Sequence, residues 1–207
     1  PEGAKWAEPL KVIDRVTFRA DGEGFLKPGY RQVFAVSAEG GQPRQLTFRP
    51  FDVSGPIHFN RAGDAVLFSS NRAANWERDP EEAEIFQASL AGSPAVVQLT
   101  SRVGPDVAPT PSPDGSKIAY VGYDDARRRG YENQRLYVMD ALGRNSRVLT
   151  GGLDRSVSAP QWSADGRSLY GMLGASFATG FWRSLIFALA GTWLTAAMQR
   201  SGRYLRI

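Results

Sequence analysis

The sequence predicts an all-β protein, a partial β-propeller of about three to four four-stranded blades. The first observation is a tight turn containing Asp and Gly, followed by a run of alternating apolar residues. The glycines of these turns recur at spacings of 52 and 51 residues, at Gly63, Gly115 and Gly166. The second is a Leu-Thr pair that recurs at spacings of 53 and 50 residues, at Leu46-Thr47, Leu99-Thr100 and Leu149-Thr150. A shared period near 50 residues with about four short strands is typical of propeller blades.

The first two blades can be followed in chain order. Residues 11–19 are rich in β-branched side chains and predict a strand, and residues 30–37 predict another, so the first blade is incomplete. A long polar connection over residues 71–82 joins the second and third strands of the next blade. That blade is predicted to be complete, with strands near residues 57–60, 64–70, 83–89 and 95–100.

The third and fourth blades follow the same pattern. Residues 107–150 predict a full blade whose long connection covers residues 124–133. A further blade opens at residues 159–162 and continues through residues 169–172. We therefore assign residues 1–174 to a partial β-propeller.

The remaining residues, 175–207, form a tail that contains no acidic side chain. Residues 184–198 are apolar and almost uncharged, and three interpretations stay open. The tail could supply the last blade strands, be a truncated or out-of-frame end, or form a helix that inserts into a membrane. A membrane span needs about 20 apolar residues, whereas this run has 15 and directly follows Arg183. Membrane insertion is therefore the least favoured of the three.

Composition narrows the class of protein. The 207 residues include 42% hydrophobic residues, 22 Gly and 13 Pro, which suits a turn-rich all-β domain. The absence of Cys excludes a disulfide and a thiolate metal site. It fits both the bacterial cytoplasm and the periplasm, so the compartment stays open.

The net charge of +4 does not predict a nucleic-acid partner. All 21 acidic residues lie at or before Asp165, with 20 of the 25 lysines and arginines, so the repeats are close to neutral. The excess of positive charge belongs to the tail. No surface of interleaved aromatic and basic residues is visible, which is the pattern that nucleic-acid binding would favour.

Several phrases in the repeats carry a resemblance to a known family. They are Asp-Gly-Glu-Gly-Phe at residues 21–25, the strand, turn and Leu-Thr close at residues 33–47, and Ser-Asn-Arg at residues 70–72 followed by Trp76-Glu77 and residues 83–86. In this order they resemble the N-terminal propeller of prolyl oligopeptidase family serine peptidases, in the bacterial acylaminoacyl-peptidase or dipeptidyl-peptidase-like branch. The resemblance covers roughly residues 10–172. The repeats also resemble TolB-like propellers.

The resemblance implies one domain of a two-domain peptidase. In that family a propeller limits entry to short peptides, and an α/β-hydrolase domain supplies a Ser-Asp-His triad with its serine in a Gly-x-Ser-x-Gly elbow. This sequence contains no such elbow, and its single histidine, His58, lies in a predicted strand, where a structural role is expected. We assign no catalytic residue and expect the isolated chain not to hydrolyse peptides.

The acidic connection of the second blade holds the candidate substrate contacts, Trp76, Glu77, Glu81 and Glu82. In the resembling dipeptidyl peptidases, propeller glutamates pair with the free amino terminus of the substrate, and a carboxylate suits an ammonium group. The alternative is a solvated acidic loop. No cofactor is predicted. No metal site is predicted either, because the chain has no His pair and its Asp-Gly turns lack the calcium-loop spacing.

Two functions therefore compete. The first is the substrate-gating propeller of a serine peptidase, with a peptide substrate and an α/β-hydrolase domain as its partners. The second is a non-enzymatic, TolB-like propeller for protein-protein interaction. In either case an incomplete ring of blades leaves open sheet edges, and we expect these to favour association.

Overall fold

The computed structural model describes residues 12–92, 95–126 and 132–174, together with Gly3, Leu10 and the backbone of residues 204–206. Every regular element in this part of the chain is a β-strand, and every strand pairing is antiparallel. The predicted all-β fold class is confirmed.

The first blade is represented by two short hairpins. Its strands are β1 (Arg19–Ala20), β2 (Gly24–Phe25), β3 (Phe34–Ala35) and β4 (Arg44–Gln45). β1 pairs with β2, and β3 pairs with β4. The prediction of a long strand over residues 11–19 is wrong. Only its last residue belongs to a strand, because the pairing with the next strand extends no further than the bond from the Leu26 N–H to the Phe18 carbonyl oxygen at 2.9 Å, and Val12, Ile13 and Val16 lie exposed.

The second and third blades are complete four-stranded sheets in sequential order. The second consists of β5 (Val53–Phe59), β6 (Ala65–Ser70), β7 (Glu84–Ser89) and β8 (Val96–Gln98). The third consists of β9 (Asp106–Pro111), β10 (Lys117–Gly122), β11 (Arg135–Asp140) and β12 (Arg147–Val148). The first strand of the second blade begins four residues earlier than the pattern predicted. A register shift between Ser54 and His58 interrupts its alternation and hides this start from the sequence pattern.

The fourth blade contains β13 (Val157–Trp162), β14 (Leu169–Leu173) and β15 (Tyr204–Arg206). β15 comes from the predicted tail and pairs with β14. Residues 175–203 and 207 lie outside the described residues, and so do the helical, aberrant and membrane interpretations of that segment. No helix in the described part offers a long apolar stretch of the kind that crosses a membrane.

The Asp-Gly turns have the geometry that their sequence predicts. Gly63, Gly115 and Gly166 have φ angles of 72°, 74° and 68°, in the left-handed region that favours glycine. In the third blade Asp114 accepts the backbone N–H of Ser116 at 3.0 Å, which closes the turn that leads into β10. The turn residues are thus a device for reversing the chain between the first and second strands of each blade.

The recurring Leu-Thr pair closes each blade. Its threonine hydroxyl oxygen accepts a backbone N–H at the start of the third strand. The three bonds run from Val33 to Thr47 at 3.0 Å, from Ile85 to Thr100 at 2.9 Å and from Leu136 to Thr150 at 2.9 Å. Each of these buried threonines therefore satisfies a backbone donor where the ladder of the fourth strand ends.

Apolar side chains pack between successive blades rather than in one central core. Val33 and Leu46 of the first blade contact Phe68 and Phe86 of the second. The second and third blades meet through a cluster that includes Ile85, Tyr120 and Met139, and the third and fourth through one that includes Val121, Leu136 and Val157. This face-to-face packing of sheets is the arrangement of a β-propeller.

Candidate functional site

The candidate site is built on the connection between β6 and β7, residues 71–83. Asn71 organises this connection, because its side-chain amide donates to the carbonyl oxygen of Asp79 at 2.7 Å. Tight turns follow, with the N–H of Arg78 donating to the carbonyl of Asn75 at 2.8 Å and that of Glu82 to Asp79 at 3.2 Å. The predicted long polar connection is therefore a folded segment rather than an extended loop.

Trp76 anchors the connection to the first blade. Its indole ring meets Tyr30 and Phe51 edge-on, with ring centroids 6.2 Å and 6.3 Å apart. Edge-to-face pairs of this kind are favourable for aromatic rings. The indole therefore fixes the position of Glu77, the next residue in the chain.

A cavity of about 260 Å³ opens between the first and second blades beside this indole. We call it the Trp76 cavity. Its lining brings together Trp76, Glu77 and Glu82 from the connection with Arg15, Arg31 and Asp52 from the first blade and the start of β5. Three of the four residues predicted from the sequence thus share one cavity. Glu81 is exposed and does not belong to the lining.

The charges in the Trp76 cavity differ in how far they are already paired. Asp52 accepts the backbone N–H of Arg31 at 2.6 Å, and the Arg15 guanidinium stacks 4.2 Å from the centre of the Tyr30 ring. Glu82 accepts the N–H of Gly104 at 3.0 Å through its Oε2 atom. Within the described part of the chain, Glu77 makes no hydrogen bond or ion pair. The carboxyl groups of Glu77 and Glu82 therefore have acceptor capacity left for a ligand.

A second cavity, of about 300 Å³, adjoins the first and shares Asn71, Glu82 and Ala83 with it. We call it the Glu84 cavity. Besides the shared residues, Arg72, Glu84 and Arg102 belong to its lining. The Arg72 guanidinium packs 4.7 Å from the centre of the Phe86 ring, which holds it against the second blade.

A charged cluster beside the Glu84 cavity was not predicted from the sequence: Glu84 and Arg102 belong to the cavity lining, and Asp106 pairs with Arg102 behind it. Burial raises the pKa of Glu84 to about 8, and the nearby carboxylates add to the rise. Burial also raises the pKa of Asp106, to about 6, against the opposing effect of Arg102. Arg102 forms an ion pair with Asp106 and lies 4.0 Å from the centre of the Tyr137 ring. The repeats contain a sign of this cluster, which is an acidic residue at a position that is apolar elsewhere. Asp106 stands where two other blades have Val53 and Val157.

His58 lies in β5, opposite Leu67 in the pairing with β6. Burial lowers its pKa below the usual value for histidine. It belongs to the lining of neither cavity. In the described segments, no group of three or more His, Cys, Asp or Glu side chains is arranged to hold a metal ion.

Comparison with known proteins identifies the family. A sequence model described as the dipeptidyl peptidase IV (DPP IV) N-terminal region matches residues 4–119. The chain belongs to this family. The predicted resemblance to N-terminal propellers of prolyl oligopeptidase family peptidases, in their dipeptidyl-peptidase-like branch, is confirmed.

One relative of this chain is a probable dipeptidyl-peptidase 5 of Arthroderma benhamiae. It is 30% identical over 135 residues, which are 59% of this chain and 18% of the relative. The chain thus spans about a fifth of the length of that relative. The uncharacterized protein Atu1656 of Agrobacterium fabrum is 27% identical over 154 residues, which cover 70% of this chain and 50% of that protein.

Two solved structures support the propeller fold of this family member. A puromycin hydrolase S511A mutant aligns with a TM-score of 0.54 and 21% identity, covering 72% of this chain and 25% of the other. TolB from Acinetobacter baumannii aligns with a TM-score of 0.50 and 20% identity, covering 72% of this chain and 35% of the other. At these identities the likeness shows the fold alone.

Proposed function

We propose that this chain is the substrate-selecting propeller of a serine peptidase that cleaves short peptides. In this proposal the Trp76 cavity holds the free amino terminus of the substrate. The observation that carries the proposal is that Glu77 and Glu82 line one cavity beside Trp76, in a chain of the DPP IV N-terminal region family.

The chemistry of the cavity suits an ammonium group. A peptide amino terminus carries three N–H donors and a positive charge, and carboxylate oxygens are its strongest acceptors among side chains. Glu82 already accepts one backbone N–H, which fixes its orientation and leaves its other oxygen for a ligand. Glu77 has no partner to displace among the described residues. The indole of Trp76 adds an apolar wall that excludes water from one side.

The bond-breaking residues belong elsewhere in this scheme. The resemblance assigns them to an α/β-hydrolase domain, and this chain contributes selection by size and by the charge of the substrate terminus. Only a peptide short enough to reach the cavity and the nucleophile together is cleaved. Binding of the amino terminus therefore determines which peptide bond is cleaved.

The proposal is tested on the gene product that carries this chain, with dipeptide p-nitroanilides whose amino terminus is free or acetylated. The carboxamide variants Glu77→Gln and Glu82→Gln retain shape and remove charge. A charge-assisted hydrogen bond contributes about 1.5–3 kcal/mol, so each variant is expected to lower kcat/KM for the free-amino substrate by about 10- to 100-fold. The loss is expected mainly as a rise in KM.

Glu81→Gln is the matched control, because Glu81 is a neighbouring carboxylate outside the cavity lining. It is expected to change kcat/KM by less than about twofold, as exposed charges contribute little. Equal turnover of free and acetylated substrates by the wild type would contradict the role given to the cavity. Failure to cleave any peptide, with the elbow serine present, would favour the interaction propeller instead.

A further inference from the structure

Asp106 occupies a repeat position that is apolar in two other blades. In three blades the first residue of the first strand donates its N–H to a carbonyl of the preceding blade. The bonds run from Val53 to Arg31 at 3.0 Å, from Asp106 to Ala83 at 2.7 Å and from Val157 to Gln134 at 2.8 Å. Val53, Asp106 and Val157 are all buried, and Asp106 is only 1% exposed. The third blade thus buries a carboxylate where its neighbours bury a methyl-bearing side chain.

The third blade is adapted to hold this carboxylate with Arg102. The guanidinium pairs with Asp106 Oδ1 and packs over the Tyr137 ring. Gly122, which pairs with Asp106 in the sheet, leaves the room they need. A Cβ atom there would lie 2.0 Å from the Pro105 carbonyl oxygen and 2.8 Å from both the Arg102 Nη2 and the Asp106 Oδ1 atoms. A side chain at residue 122 would therefore disturb both the backbone just before β9 and the ion pair.

The pair closes a short loop that contacts Glu82 of the Trp76 cavity. This loop, residues 102–106, ends the connection from β8 to β9, and the ion pair joins its two ends, Arg102 and the first residue of β9, Asp106. At its centre, the N–H of Gly104 donates to Glu82 Oε2 at 3.0 Å. Gly104 has a φ of 105°, and a Cβ atom there would lie 2.4 Å from the Tyr123 carbonyl oxygen and 2.9 Å from the Asp125 nitrogen. The N–H of Asp125 donates to the Val103 carbonyl at 3.0 Å, which ties the loop to the third blade in the conformation that directs the Gly104 N–H at Glu82.

We propose that Arg102 and Asp106 are positioning residues for the Glu82 carboxylate. They hold the 102–106 loop so that the Gly104 N–H orients Glu82 toward the Trp76 cavity. This inference rests on the proposed function, because it gives Glu82 a ligand to receive. Stability alone does not account for the pair, since replacing both members of a buried ion pair by apolar residues is often neutral or stabilising.

The test is the double variant Arg102→Met, Asp106→Val in the gene product that carries this chain. Valine is the residue of the equivalent positions 53 and 157, so the blade is expected to fold with an unchanged or higher unfolding temperature. KM for a free-amino dipeptide p-nitroanilide is expected to rise about tenfold at constant kcat, whereas turnover of the acetylated substrate stays the same. Added to Glu82→Gln, the double variant is expected to change KM no further.

Arg144→Gln is the matched control. It removes an exposed ion pair of the same i,i+4 spacing in the same blade, between Arg144 and Asp140, and is expected to leave KM unchanged. If the double variant fails to fold, KM is measured for Arg102→Lys, which retains a cation for Asp106 but loses the guanidinium plane that packs over the Tyr137 ring; this variant is likewise expected to raise KM.

The outcomes separate the inference from the function on which it rests. A rise in KM with Glu82→Gln, but none with the double variant or with Arg102→Lys, would overturn the positioning role and leave the proposed function standing. Additive effects of the double variant and Glu82→Gln would overturn it as well. If Glu82→Gln leaves KM unchanged, the proposed function is contradicted, and the positioning role is contradicted with it.

Discussion

At the scale of single residues, Glu84 is the carboxyl group most altered by its surroundings. Its Oε2 atom is enclosed and has no hydrogen-bond partner in the described part of the chain. Burial raises its pKa from the usual 4.5 to about 8, so the native protein holds a proton there at neutral pH. The nearby charged groups are Glu82 on its own blade and Arg102 and Asp106 from the loop packed against it.

This protonation makes a prediction for stability against pH. Between about pH 4.5 and 8 the native state binds more protons at Glu84 than the unfolded chain does, so the free energy of unfolding falls as pH rises. Glu84→Gln removes the titrating carboxyl group. Between pH 5 and pH 8 the free energy of unfolding of this variant is expected to fall by about 1–2 kcal/mol less than that of the wild type. The figure lies well below the full linkage value because part of the side chain meets solvent.

Urea unfolding of both proteins at several pH values measures the difference. Glu81→Gln serves as the exposed control and is expected to follow the wild type. A wild-type profile that runs parallel to that of Glu84→Gln from pH 5 to pH 8 would show that Glu84 is ionised in the native protein over this range. The exposed turn carboxylates do not interfere, because hydrogen bonds in the turns lower the pKa values of Asp114, Asp140 and Asp165.

At the scale of elements, the closing threonine of each blade is a stability determinant. Thr150 is buried, and its hydroxyl oxygen accepts the N–H of Leu136 at 2.9 Å. Thr150→Val retains the shape of the side chain and leaves that N–H without an acceptor. A buried unsatisfied donor costs about 1–3 kcal/mol.

We therefore expect Thr150→Val to lower the free energy of unfolding by about 1–3 kcal/mol in denaturant titrations. Thr17→Val is the control, because Thr17 is exposed, and its effect is expected to stay within about 0.5 kcal/mol. Equal effects of the two variants would mean that the Leu-Thr pair is a feature of the pattern without a role in stability.

The elements also show what a single sequence predicts well. Turn glycines with positive φ and closing threonines are dictated by local backbone geometry, so their recurrence fixed the period and the order of the strands. The prediction of a strand over residues 11–19 was wrong because it depended on tertiary context. β-branched side chains favour a strand only where a neighbouring strand exists. The start of β5 was missed because a register shift breaks its alternation.

The candidate site was predictable in part. Trp76, Glu77 and Glu82 were chosen as candidates because an acidic run beside an aromatic residue is visible in the sequence, and the structure places all three in the lining of one cavity. The sequence does not predict which of the glutamates line the cavity, because this depends on how the turns of residues 71–83 fold. Asp106 was missed because its meaning appears only when equivalent positions of three blades are superposed.

At the scale of the whole molecule, the blades stack in series and leave one face of the first blade open. Phe34 and Val36 are 56% and 59% exposed. Their counterparts one repeat later, Phe86 and Ala88, are buried against the preceding blade. The open face therefore carries the apolar pattern of a blade interface, which gives the expected association of this chain a physical basis.

The same serial arrangement explains how selection and cleavage are divided between domains in the proposed function. The Trp76 cavity lies between two blades, and its lining comes from the first blade, β5 and the connection between β6 and β7. A cavity at such a seam can be altered by changes in one connection without disturbing the sheets. In the proposed function the sheets are therefore a frame, and the loops between them set which substrate terminus is accepted.

A crystal structure of the gene product that carries this chain, bound to an uncleaved dipeptide analogue with a free amino terminus, would show where that terminus binds. We expect the terminal nitrogen to lie within about 3.2 Å of carboxylate oxygens of Glu77 or Glu82, with Trp76 beside it. A terminal nitrogen bound outside the Trp76 cavity, with Glu77 and Glu82 contacting only solvent or protein, would contradict the proposed function.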